Sequence, residues 1–216
     1  MPASSKIVDL RNLLAKRFPQ PFTPPAHRLA TGLPAIDEAI GGGLPKGAIT
    51  ELTSPKVSAG SALLLYALLQ SAQRAGHFLV LVDGRDSFDP QPLGNERLRN
   101  LLWVRCMNAL DAVKAADLLL RDGNFTLVVL DLVLNASVEL RKIPQTSWYR
   151  LQRLVETAPA AFLVLTRASI ISSAQLKLSL DNAWTLADLE QDNLPARLKV
   201  LVKRTQGGRR TIAEVG

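Results

Sequence analysis

Residues 48–75 confine this chain to few folds. A strand-like run, Ala48-Ile49-Thr50-Glu51-Leu52, gives way to a polar loop, and an apolar helical pattern then begins near Ser61 and ends at Gly76. A short apolar helix pattern and a glycine turn, Gly41-Gly42-Gly43, precede it. Strand, loop and helix in this order are the setting of the phosphate-binding P-loop, G-x-x-x-x-G-K-[ST]. In that frame Ser54 stands at the first glycine, Ala59 at the second, Gly60 at the lysine, and Ser61 alone matches. The lysine is the charge that reaches the β- and γ-phosphates, and the glycines let backbone N–H groups wrap the anion. Without them a helix N-terminus of weak anion affinity remains. The loop reads as a nucleotide site with its chemistry removed.

Beyond the loop the chain alternates strand and helix, which predicts a mostly parallel sheet covered on both faces. The expected strands are 77–83, 102–106, 126–131 and 161–166, and the expected helices are 61–75, 91–100, 109–122 and a segment closing at Leu151–Thr157. The tail reads as antiparallel, with strands at Trp184-Thr185-Leu186, Leu198–Val202 and Thr211–Val215, and Gln206-Gly207-Gly208 turning the last hairpin. At the N-terminus, Ile7, Leu10, Leu14 and Phe18 repeat at helical spacing behind Ser4 or Ser5, and the proline-rich run 19–25 ends that helix as a stiff linker. The expected organisation is an arm and linker over 1–27 and one core domain over 28–216.

TGLPAIDEAIGGGLPKGAITEL with its loop and helix resembles the opening of the RecA/RadA recombinase core, and Phe78–Asp83 followed by Gly84-Arg85-Asp86-Ser87-Phe88-Asp89-Pro90 fits the next strand and turn. Within that superfamily the chain is most similar to the RecA-like accessory proteins of bacterial mutagenesis cassettes, the ImuA type. The resemblance covers roughly residues 28–210. It implies a RecA-like three-layer sandwich with an antiparallel C-terminal hairpin and an N-terminal helical arm that packs on a neighbouring copy, on a partner, or back on its own core. It also implies work in translesion synthesis beside polymerase homologues, RecA or further copies of the chain, with single-stranded DNA as a further ligand.

Measured against that family, the catalytic parts are missing. Asp131 closes an apolar strand as a Walker B carboxylate does, although a strand-end Asp also caps turns. Where the family carries a glutamate two residues after Asp83, this chain has Arg85. Arg167 replaces the glutamine that senses the γ-phosphate, and Lys56 is the one loop cation able to swing onto a phosphate. The reading is a pseudo-ATPase with no cofactor. Two rivals stay open: a weak DNA-dependent ATPase using ATP and Mg²⁺ through Lys56, and a SulA-like cell-division inhibitor that only binds a protein.

Charge separates the ends from the centre. Residues 1–28 carry five Lys/Arg against Asp9, 29–140 carry nine against twelve acids, and 141–216 carry twelve against six, within a chain of net charge +7. Such ends attract polyanions or acidic proteins. The candidates are Arg197, Lys199, Lys203, Arg204, Arg209 and Arg210 on the last hairpin, and Arg141, Lys142 and Arg167 in the regions matching the family's DNA loops, 135–148 and 167–173. Trp148 and Tyr149 are candidates for base stacking or for core packing. Two histidines and one cysteine make no metal site and no internal disulfide, and Cys106 reads as core. With no apolar run of about 18 residues and no signal-peptide pattern, the expected compartment is the cytoplasm.

Overall fold

Runs such as Leu79-Val80-Leu81-Val82 and Leu127-Val128-Val129-Leu130 have no polar alternation, because parallel strands buried on both faces need none. In the computed structural model, which describes residues 28–56, 59–185, 188 and 197–205, these runs form the middle of a seven-stranded sheet. The strands are β3 (Ile49–Thr53), β4 (Leu79–Asp83), β5 (Leu101–Arg105), β6 (Leu127–Asp131), β7 (Ala161–Thr166), β8 (Leu176–Leu180) and β9 (Val200–Thr205). Their order is β5-β4-β6-β7-β3-β8-β9, parallel throughout except for β9. A two-stranded ribbon, β1 (Arg28–Leu29) with β2 (Leu44–Pro45), precedes them. Gly43, at φ +126°, permits that pairing, since a Cβ there would run into the Leu29 carbonyl.

The helices are α1 (Pro34–Ala39), α2 (Ser61–Arg74), α3 (Gly94–Leu98), α4 (Ala109–Asp122), α5 (Ser137–Leu140) and α6 (Gln145–Thr157). Period-two alternation sends Leu52, Leu81, Val129, Leu163 and Leu178 to the α1/α2 side of the sheet. Val80, Val128, Phe162 and Val164 go to the other side, against Ala112, Ala116, Trp148, Leu151 and Val155 of α4 and α6. This is the expected three-layer α/β sandwich. Helix α4 shows the local logic well: Asn108 sits extended at its N-cap and accepts the Asp111 N–H at 2.9 Å, and Arg121 lies in the last turn, where the helix dipole favours a cation.

Several expectations need correction. The segment 91–100 is a 3-10 turn, Gln91–Leu93, followed by only five α-helical residues. Trp184 and Thr185 form no strand; the strand that follows β7 and pairs with the other edge of β3 is Leu176–Leu180, which Lys177 and Ser179 obscured by breaking its apolar run. The last described strand starts at Val200, two residues later than expected, and pairs antiparallel with β8. Its register steps from Leu178↔Val202 to Lys177↔Arg204, so Lys203 is the extra residue of a bulge. The N-terminal arm, the 206–208 turn, Arg209, Arg210 and the 211–215 strand lie outside the described residues.

Candidate functional site

The degenerate loop sits at the C-terminal edge of the sheet, between β3 and α2, where parallel α/β sheets place their ligands. Its first residue continues the sheet: the Ser54 N–H donates to the Thr166 carbonyl at 2.8 Å. Ser54 is buried and its hydroxyl has no partner among the described residues. Lys56 turns to the side, with Nζ 2.8 Å from Asp181 Oδ1 just past β8, and holds that carboxyl below the usual range. Lys199 and Lys203 act on Asp181 in the same direction, so three lysines gather around one acid beside the loop.

At the end of the loop Gly60 is the N-cap of α2, at φ +102°, with no side-chain cap. A Cβ on Gly60 would lie 2.6 Å from Leu198 Cδ1 and 3.4 Å from the Trp184 ring. Leu198 is buried, and Asn182 clips its segment to the loop: the Asn182 amide donates to the carbonyls of Ala59 (3.0 Å) and Lys199 (3.2 Å) and accepts the Lys199 N–H at 2.9 Å. The position that carries the phosphate lysine in a P-loop is therefore packed under two apolar side chains from the C-terminal segment. Ser61 opens α2 and is half-buried.

Two carboxylates face α2 from the adjacent ends of β4 and β6, where Asp83 and Asp131 are in register. Asp83 is buried and spends itself on its own turn, accepting the N–H groups of Ser87 and Phe88, each at 2.7 Å, and of Arg85 at 3.2 Å. Asp131 accepts the Val133 N–H at 2.9 Å. Burial pushes its carboxyl up to about 6; that hydrogen bond opposes the rise and the charge of Asp83 adds to it. Arg85 sends its guanidinium to the Met107 carbonyl at 3.0 Å. Asp86, at φ +52°, takes Arg105 in a two-pronged ion pair (2.6 and 2.7 Å), and Arg105 lies 4.9 Å over the Trp103 ring.

The other basic candidates fall into separate places. Arg197 reaches Asp188 at 3.2 Å, and Arg204 donates to the Ser172 carbonyl at 3.1 Å, away from the lysines around Asp181. Arg167 donates to the Val133 carbonyl at 3.1 Å, and Arg141 and Lys142 are exposed after α5. The region 135–148 is largely α5 and the start of α6, with Trp148 only 1% exposed in the core and Tyr149 half exposed. Cys106 is core, as its sequence context suggested, and burial pushes its thiol up.

The residue that sequence reasoning missed is Glu51. It is fully buried at the centre of the sheet, pairs with Lys177 Nζ at 2.9 Å, and accepts the Ser169 hydroxyl (2.7 Å) and the N–H groups of Ile170 (2.6 Å) and Ile171 (2.9 Å). The 167–175 connection is thereby pinned across the sheet at residues 169–171. Its signal was available: an acid inside one apolar strand and a base inside another, each without a local partner. Among the described residues no group of His, Cys, Asp and Glu has the makings of a metal centre, and no helix is long and apolar enough to cross a membrane. A cavity of about 360 Å³ lined by Arg28, Lys46, Ser71 and His77 opens at the opposite edge of the sheet, remote from the loop.

Residues 22–143 match the family model described as the RecA N-terminal domain. Over 113 residues the chain is 34% identical to Protein RecA of Frankia alni, covering 51% of this chain and 32% of that protein. It is 36% identical to Protein RecA of Streptomyces ambofaciens (50% and 30%) and 37% identical to that of Clavibacter michiganensis subsp. michiganensis (50% and 31%). The matched part of the chain thus spans about a third of the length of these relatives.

Proposed function

The chain belongs to the RecA N-terminal domain family, and on that premise we propose that it is a RecA-like accessory protein of DNA damage tolerance that hydrolyses no ATP. Its role is in translesion synthesis, as its similarity to ImuA-type proteins implies, through contacts with a polymerase homologue, RecA or further copies of itself. Single-stranded DNA is a further ligand. The observation that carries the non-catalytic reading is the packing of Leu198 and Trp184 on Gly60. The residues present do not fit bound MgATP. Ser54 and Ala59 replace the loop glycines, Lys56 is committed to Asp181, and Asp83 is consumed by its own turn.

For DNA the supporting feature is the group Lys56, Lys199 and Lys203, which outnumbers its single acid and is exposed on the edge of the sheet. The pinned 167–175 connection argues against a strand-wrapping recombinase.

The test is equilibrium binding of a fluorescent ATP analogue with Mg²⁺, with and without oligo(dT), for the natural chain and for Lys56→Ala and Ser61→Ala. The expected result is no saturable binding. Binding tighter than about 100 μM that either substitution abolishes establishes the rival ATPase and overturns this reading. A SulA-like inhibitor predicts the same silence toward ATP, and it is separated by oligo(dT): neutralising Lys199 and Lys203 changes DNA affinity only in an accessory that binds DNA.

A further inference from the structure

At the C-terminal ends of β4, β5 and β6, four apolar side chains are left in water: Met107 is 68% exposed, Val138 60%, Leu134 53% and Leu110 39%. Hydrogen bonds tie the segments that carry them into one surface. Glu139, next to Val138, accepts the N–H of Ala109 at the start of α4, between Met107 and Leu110. Asn135, next to Leu134, donates to Glu139 at 3.2 Å and to the Gly84 carbonyl at 2.9 Å. Burial works against the Glu139 charge, but these donors and Arg85 outweigh it and hold the carboxyl below the usual range.

Cations surround this apolar knot. One N–H of Arg85 is spent on the Met107 carbonyl and one of Arg167 on the Val133 carbonyl, which seats both guanidinium groups beside the patch with further donors to spare. Arg141 and Lys142 stand exposed one turn from Val138. Of the two acids beside the knot, Glu139 is bonded inward and Asp111 is paired with Lys114 at 2.9 Å, so the patch presents four cations around an apolar centre.

We infer that this surface docks an acidic amphipathic segment of a partner protein, with apolar side chains on Met107, Leu110, Leu134 and Val138 and carboxylates on the rim. Methionine and aliphatic residues adapt to such a segment, whereas single-stranded DNA calls for aromatic platforms, and the four exposed apolar side chains of this patch include no aromatic ring. A second copy meeting this face with its own would set one positive rim against another. This inference rests on the proposal that the chain acts through protein contacts. The two fail separately, because ATP binding is read with no peptide present.

The experiment uses the full chain and fluorescence anisotropy with three fluorescein-labelled probes: a 16-residue peptide with leucines at helical spacing flanked by glutamates, the same peptide with lysines for glutamates, and oligo(dT). The acidic peptide is expected to bind at least tenfold tighter than the basic one. Met107→Ser with Val138→Ser is expected to weaken it at least tenfold, as is Arg141→Glu with Lys142→Glu, with circular dichroism and urea transitions showing that each variant folds. Equal binding of the two peptides, binding untouched by these substitutions, oligo(dT) competing for the same surface, or a concentration-dependent mass abolished by Met107→Ser would each overturn the inference.

Discussion

Replacing Glu51 by alanine removes one acceptor from four donors at once. The Lys177 ammonium, whose side chain is 18% exposed, loses its counter-charge and keeps only its bond to the Ser169 hydroxyl, and the N–H groups of Ile170 and Ile171 and the Ser169 hydroxyl lose their acceptor under a fully buried position. Breaking a buried ion pair from one side costs about 3–5 kcal/mol, and each orphaned buried donor about 1–3 kcal/mol. These overlap, and Lys177 can swing partly into water, so about 4 kcal/mol is expected for the whole change. With a urea slope of about 2–3 kcal/mol per molar for a chain of this size, the unfolding midpoint falls by roughly 1.5–2 M. Glu51→Gln keeps the shape and one acceptor but sets an amide N–H₂ against the ammonium, and costs roughly half as much. Adding Lys177→Met to Glu51→Gln recovers part of the loss, a coupling of about 1–3 kcal/mol in a double-mutant cycle. Hydrogen exchange at Ile170 and Ile171 rises in the Glu51→Ala variant while the centre of β4 and β6 stays protected. A loss below about 1 kcal/mol, or a cycle that is additive within about 0.5 kcal/mol, refutes the claim that Glu51 anchors the 167–175 connection.

Three further outcomes are expected. Gly60→Ala costs about 2–4 kcal/mol by urea unfolding, part from the positive φ and part from the collision with Leu198; in a Leu198→Ala background the collision part disappears, and full additivity contradicts the packing described. The Asp131 carboxyl, raised from 3.8 to about 6, binds its proton more tightly in the folded than in the unfolded chain, so its contribution to stability falls as pH rises between those values. Asp131→Asn therefore stabilises the protein by at most about 3 kcal/mol above pH 6 and leaves it unchanged near pH 3.5, and a benefit independent of pH would contradict the burial argument. Lys56→Met lets the Asp181 carboxyl rise toward its ordinary range, leaving Lys199 and Lys203 as its remaining cations; a carboxyl NMR titration that does not move shows that the pair is absent in solution.

Much of this architecture is written in local chemistry. Leu127–Leu130 and Ala161–Leu165 are uninterrupted apolar runs, and only a strand buried on both faces uses such a run. Asn108 and Gly123 bracket α4, so its ends follow from capping and need no tertiary contact. The replaced lysine and glycines of the loop are likewise matters of residue identity. Strand β8 was illegible because Lys177 and Ser179 interrupt its apolar run, and the charge of Lys177 is matched by Glu51, far away in the chain. The basic residues of the last strand read as one stretch, yet the bulge at Lys203 and the bonds of Arg197 and Arg204 to Asp188 and Ser172 divide them among different surfaces.

The sequence by itself determined the sheet's apolar core, the order of its alternating elements and the loss of the phosphate lysine, since each depends on residue type and short-range spacing. Tertiary structure alone decided that Leu198 and Trp184 cover Gly60, that Glu51 holds a connection more than a hundred residues away, and that Met107, Leu134 and Val138 meet on one surface. The physical reason is that these arrangements arise from pairings between distant segments, whose closure entropy is offset only by burial of the whole sheet, and no short window of sequence records that balance.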